Sequence, residues 1–156
     1  MLIQAFKELS NTDNSQIILT THSPAIVKLL EFEQLKLIKK GDNCIEVVDI
    51  ERNNLPYPSL NEVNFLAFGE SNEEYHNELY GFIESENRLG DYKSGKSTRE
   101  YVKILRNGNT QTVQITSSEY IRHQIHHPEN NNNVKFTNDE LQSSITEMRT
   151  FINENT

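Results

Sequence analysis

A short α/β segment followed by a mainly helical one is the fold class that the sequence predicts, and three observations predict it. Residues 1–53 alternate helix-period and strand-period apolar patterns. Residues 53–59 contain Pro56 and Pro58, which suit neither a helix interior nor a central strand. Beyond them, four S/T-x-x-E capping boxes follow one another. The expected division is residues 1–53, a linker at 54–60, and a second domain at 61–156.

Taken in order, Leu2, Ile3, Phe6 and Leu9 share one face of a first helix. Residues 16–20, Gln-Ile-Ile-Leu-Thr, read as a compact apolar strand, and Ile26, Leu29 and Leu30 as the apolar face of a second helix. Residues 35–39 and 44–50 read as two strands joined around Gly41-Asp42. The four capping boxes are Ser71 with Glu74, Ser97 with Glu100, Thr116 with Glu119, and Thr137 with Glu140. In each, the hydroxyl accepts from a helix-start amide while the carboxylate returns to the cap's own amide. Leu79, Phe82 and Ile83 continue the first of these helices; Tyr120, Ile121 and Ile125 the third; Leu141, Ile145, Met148 and Ile152 the fourth. At the second box a hairpin over 101–116 competes with a helix, because Val102, Ile104, Val113 and Ile115 flank Asn107-Gly108. Asn130 to Asn133 reads as a solvent-facing low-complexity loop. His76, Glu73, Glu74 and Glu78 read as a wet helix face, and Tyr75, Tyr80 and Phe82 as core rather than base-stacking residues.

Composition narrows the function classes. With 156 residues there is room for one ordinary domain or two small ones. Acidic residues outnumber basic ones 23 to 15, so no broad positive field attracts nucleic acid or an anionic membrane, and any RNA contact must be local. Cys44 is the single cysteine, which excludes an internal disulfide and fits a reducing compartment. Residues 1–10 lack the basic start and apolar run of a signal peptide, and no stretch is long enough to span a membrane. The expectation is a cytoplasmic protein with no membrane partner.

The first motif is the strand ending Thr20-Thr21-His22-Ser23-Pro24, which runs into a helix capped by Ser23 with Pro24 in its first turn. Unpaired amides at such a helix start could hold an anion beside His22; the alternative is a satisfied turn histidine. The run resembles the switch-loop strand of the ABC-ATPase superfamily, especially bacterial ATPases related to overcoming-lysogenisation and RecF/SMC-like proteins. The resemblance covers about a quarter of the chain, and it implies that His22 would contact a nucleotide γ-phosphate. The chain has no G-x-x-x-x-G-K-[ST] loop, no acidic Walker B strand and no signature motif. It is therefore not expected to hydrolyse ATP alone; ATP and Mg²⁺ enter only if an ATPase core or subunit completes it. A fragment, or a subunit completed by another chain, is the expectation.

The second motif lies in Tyr120-Ile121-Arg122-His123-Gln124-Ile125-His126-His127-Pro128, where Arg122 and His127 meet the spacing R-x-x-x-x-H with polar His123 after the arginine. This resembles the signature of HEPN domains, helical modules that often act as metal-independent RNA endonucleases, and the likeness would cover roughly residues 60–156. It implies His127 as acid/base, Arg122 as phosphate clamp and His123 as supporting polar residue, with no cofactor for the cleavage. It also implies a second copy of the chain, since two such motifs usually meet across a dimer. Five positions along an α-helix turn by about 140°, so Arg122 and His127 share a site only if His127 sits on a loosened last turn before Pro128. Two other readings use the same residues: zinc held by His123 and His127, or a solvated helix end.

Together the resemblances imply an RNA-cleaving effector, with tRNA among the candidate substrates, coupled to an ABC-type ATPase of bacterial phage defence or a toxin system. The alternative is a non-catalytic dimerisation or docking module for an ATPase whose nucleotide-binding core lies elsewhere. A truncated product without present function is a third reading.

Overall fold

The computed structural model describes residues 2–12, 15–21, 23–27, 29–40, 44–49, 55–56 and 59–154. These residues form α-helices and two small antiparallel sheets, divided into two compact units, Met1–Gly69 and Glu70–Thr156. The division thus falls after the expected linker. Among the described residues, no helix is long and apolar enough to cross a membrane.

In the first unit, α1 (Leu2–Thr12) is the amphipathic helix expected, with Ile3 buried and Leu9 half exposed. The strand expected at 16–20 is not formed: residues 15–21 join no ladder, and Ile18 is 82% exposed. An apolar strand of that kind needs sheet neighbours on both sides and layers over both faces. The only sheet described in this unit is a two-stranded one. Helix α2 (Pro24–Val27) is shorter than expected. Leu29 and Leu30 lie beyond it in a tighter turn whose amides bond the carbonyls of Ile26 and Val27 at 3.0 and 3.1 Å. Strands β1 (Lys36–Lys40) and β2 (Ile45–Asp49) pair antiparallel, with Ile38 opposite Val47 and a Lys36–Asp49 ion pair across one end. The expected turn at Gly41-Asp42 lies outside the described residues.

Helix α3 (Leu60–Phe68) was not expected, although its start is legible as Ser59-x-x-Glu62. The Ser59 hydroxyl accepts from the Glu62 amide at 3.4 Å. The helix closes on Gly69 at φ 68°, a left-handed conformation that glycine adopts without strain.

The second unit contains α4 (Glu73–Ser85), α5 (Leu89–Lys93), the hairpin β3 (Thr98–Ile104) and β4 (Thr110–Thr116), α6 (Ser117–His126) and α7 (Asn138–Glu154). Helix α7 packs on α4 and α6, and α6 also packs on both strands of the hairpin. The helix-period positions supply the core: Tyr75, Leu79 and Ile83 from α4, Tyr120 and Ile121 from α6, and Leu141, Ile145, Met148 and Ile152 from α7. Each such apolar side chain stabilises the unit by roughly 1.5–3 kcal/mol relative to exposure.

One capping box forms as read, at Thr137 and Glu140, and at Thr116 the hydroxyl half of a second forms. Thr116 accepts from the Glu119 amide at 3.4 Å, and Thr137 and Glu140 bond reciprocally at 3.2 and 2.7 Å. At the start of α4 the cap is Asn72, whose Oδ1 accepts from the Tyr75 amide at 2.7 Å, in place of Ser71. The box at Ser97 and Glu100 opens no helix. Thr98, Tyr101, Val102 and Ile104 are β-branched or aromatic, and they pair with β4 around a turn in which Gly108 sits at φ 84°.

Candidate functional site

Helix α6 places Arg122, His123 and His127 on two sides of one rod, because successive residues turn by about 100°. Arg122 faces α4. Its guanidinium lies 4.5 Å from the centre of the Tyr80 ring, and its Nη2 is 3.3 Å from Glu84 Oε2. Lys93 approaches the same ring at 5.9 Å and pairs with Glu119 at 3.1 Å. Tyr80 is buried, which raises its hydroxyl above the ordinary tyrosine value. Burial by itself would lower Lys93, but Glu119 and Tyr80 outweigh it and hold the ammonium above its usual range.

His123 faces the hairpin. The His123 ring stacks on Tyr101 at 5.0 Å between centroids and 20° between planes, and on His127 at 6.2 Å and 26°. Tyr101 in turn meets Tyr120 edge to face at 5.6 Å. The result is a column of rings from the core to the surface: Tyr120 and Tyr101 are about 2% exposed, His123 is half buried and His127 is exposed. Burial lowers the His123 pKa below the ordinary histidine value, and the charge of Lys103 adds to that.

His127 is the C-cap of α6, at φ −128° and ψ 60°, outside the helical region and immediately before Pro128. Its Nδ1 lies 3.3 Å from Glu129 Oε1. This is the loosened last turn that a shared site with Arg122 requires. In this chain the two residues nonetheless contact different neighbours, Tyr80 and Glu84 for Arg122, His123 and Glu129 for His127.

The loop after α6 departs from the expectation of a solvent-facing tract. Asn130 is buried; its amide donates to the Tyr101 hydroxyl at 3.1 Å and to the Val102 carbonyl at 2.8 Å. Asn133 takes both backbone groups of Val102, accepting from its amide at 2.8 Å and donating to its carbonyl at 3.0 Å. A primary amide copies the peptide group of a neighbouring strand, so the loop closes the outer edge of β3 where a strand would. Gln124 ties the far end of the loop to α6, donating to the Val134 carbonyl at 2.6 Å and accepting from the Phe136 amide at 3.0 Å. Period-2 placement in the hairpin could have marked Tyr101; nothing in a run of four asparagines marks Asn130 as buried or Asn133 as bonded to β3.

His76 also departs from expectation. It is fully buried on α4 instead of lying on a wet face, and its Nε2 is 3.1 Å from the Ser144 hydroxyl of α7. Its Nδ1 has no hydrogen-bond partner among the described residues. Burial, with the Arg122 charge as second cause, lowers its pKa to about 4, so the ring is neutral at pH 7. Tyr75 and Tyr80 are core, as expected; Phe82 is half buried.

The other predicted site residue, His22, lies outside the described residues. Among the described residues, no group of three His, Cys, Asp or Glu side chains is placed to hold a metal ion.

Comparison with known protein families, with characterised proteins and with solved structures gives no match for this chain.

Proposed function

We propose that this chain is the RNA-cleaving part of an ATPase-coupled effector, a metal-independent endoribonuclease of the HEPN type acting in phage defence or as a toxin. The observation that supports it best is His127, exposed at the C-cap of α6, with Nδ1 directed at Glu129 and no partner described for Nε2. A carboxylate on one imidazole nitrogen orients the ring and favours the tautomer that leaves the other as a base. The base takes the proton of a ribose 2′-hydroxyl, the oxygen attacks the adjacent phosphorus, and the leaving 5′-oxygen is protonated by the second acid/base group. Arg122 neutralises the charge that develops on the phosphate. His123 supports His127 by ring stacking. The site is completed by the corresponding residues of a second copy, because one chain supplies a single motif. Any nucleotide-driven control comes from a coupled ATPase core or subunit.

The experiment is cleavage of a mixed pool of tRNA and single-stranded RNA by the purified protein in EDTA, with Arg122→Ala and His127→Ala alongside. Cleavage should fall by roughly 100-fold or more in His127→Ala, the usual scale for a lost acid/base group. One observation favours the docking-module reading: Arg122 packs on Tyr80 and Glu84 as a structural residue would. No cleavage by wild-type protein shown to be dimeric would select that reading.

A further inference from the structure

We infer that the ring column ending at His127 is a stacking platform for an unpaired base of single-stranded RNA. The inference deepens the ribonuclease reading and rests on it. The His127 ring lies within 26° of parallel to His123, with centroids 6.2 Å apart, and its side chain is 55% exposed. That exposure leaves ring surface open to solvent beyond His123. The platform is rigid beneath that surface: His123 stacks on Tyr101, Tyr101 abuts Tyr120, and Asn130 holds the Tyr101 hydroxyl. Further support comes from the Arg99 guanidinium, 3.8 Å from the Tyr120 ring centre and paired with Glu140.

A base added to the outer face would continue a column already built, and would meet little ordering cost from the protein side. Side chains two apart on a strand share a face, so Lys103 lies beside Tyr101 on the side of β3 that faces His123. Lys103 makes no ion pair or hydrogen bond among the described residues, and its charge acts on His123. A cation beside a stacked base is where the flanking phosphate of a single strand would lie. This is a local contact, as the acidic chain requires, and it favours unstacked over duplex RNA. Stacking uses the face of the His127 ring and proton transfer uses its edge, so one residue can do both.

The test is binding of a 2′-O-methyl oligoribonucleotide carrying one 2-aminopurine, which resists 2′-hydroxyl attack and reports stacking by fluorescence quenching. Full-length wild type, His127→Phe and His127→Ala are compared, with circular dichroism confirming that each folds. Binding and quenching should survive in His127→Phe and weaken about tenfold in His127→Ala, within the range for one stacked base. Cleavage of unmodified RNA should be lost in both variants. The platform is overturned if wild type does not bind, if His127→Ala binds like wild type, or if His127→Phe loses as much as His127→Ala. Wild-type cleavage with unchanged His127→Ala binding would remove the platform and leave the nuclease. Phenylalanine-retained binding without wild-type cleavage would leave the platform and remove the nuclease.

Discussion

His76 shows what a single buried group does to the stability of the second unit. In the unfolded chain its imidazole titrates near 6.5, while in the folded unit burial and Arg122 hold it at about 4. The unfolded state therefore binds more protons between those values, and stability falls as the solution is acidified through that window. The contribution is complete above about pH 6.5 and is lost by about pH 4, a total of roughly 3 kcal/mol at the scale of one pKa unit per 1.4 kcal/mol. The groups facing the ring are Ser144, Tyr80 and Arg122, none of which supplies a compensating negative charge. Urea midpoints measured at pH 7.5, 5.5 and 4.5 should decline in wild type and decline less in His76→Gln. Equal declines would place the acid sensitivity elsewhere. Glu140 is a second contributor: the Thr137 amide and Arg99 hold its carboxyl below the usual range, so its stabilisation fades only at lower pH.

At the level of elements, the hairpin and α6 are held by caps and by an asparagine clamp, and these make different predictions. Removing the Thr116 hydroxyl leaves the Glu119 amide without its cap and should cost about 1 kcal/mol in Thr116→Ala. Asn133→Ala leaves the half-buried Val102 amide unpaired and should cost about 1–3 kcal/mol. Asn131→Ala, at an exposed position in the same run, should stay within about 0.5 kcal/mol of wild type. Chemical denaturation of the three variants decides this; three equal values would show that the run acts as a simple loop. The strand expected at 16–20 does not form, and at Ser97 the hairpin prevails over the competing helix, for one reason: local pattern does not report the neighbours that a strand requires. Ile17, Ile18 and Leu19 have strand composition without a described ladder, whereas Thr98 to Ile104 have helix-start spacing and a partner strand at hand.

At the scale of the molecule, the second unit carries a core of its own, built from α4, α6 and α7 around Leu79, Ile121, Ile145 and Met148. A chain of residues 70–156 should therefore fold alone and unfold in a single cooperative transition. Ile145→Ala in that fragment should lower its stability by about 2–5 kcal/mol through loss of burial and the cavity left behind. A broad, non-cooperative melt of the unmutated fragment would show that its core is incomplete. In the first unit, by contrast, Ile38, Ile45 and Val47 stay more than half exposed on the β1–β2 pair.

The sequence by itself determined the helices that carry a 3.6-residue apolar stripe and the caps at Thr116 and Thr137, since periodicity and capping are local properties. It also placed Arg122, His123 and His127 together at the end of one helix, because spacing on a helix is fixed by geometry. Only the tertiary structure decided which way each of them faces and what each touches. The burial of His76, the stacking of His123 on Tyr101 and the use of Asn130 and Asn133 as a surrogate strand join residues 22 to 68 positions apart. Such contacts depend on how elements pack, and no pattern within a single element encodes them.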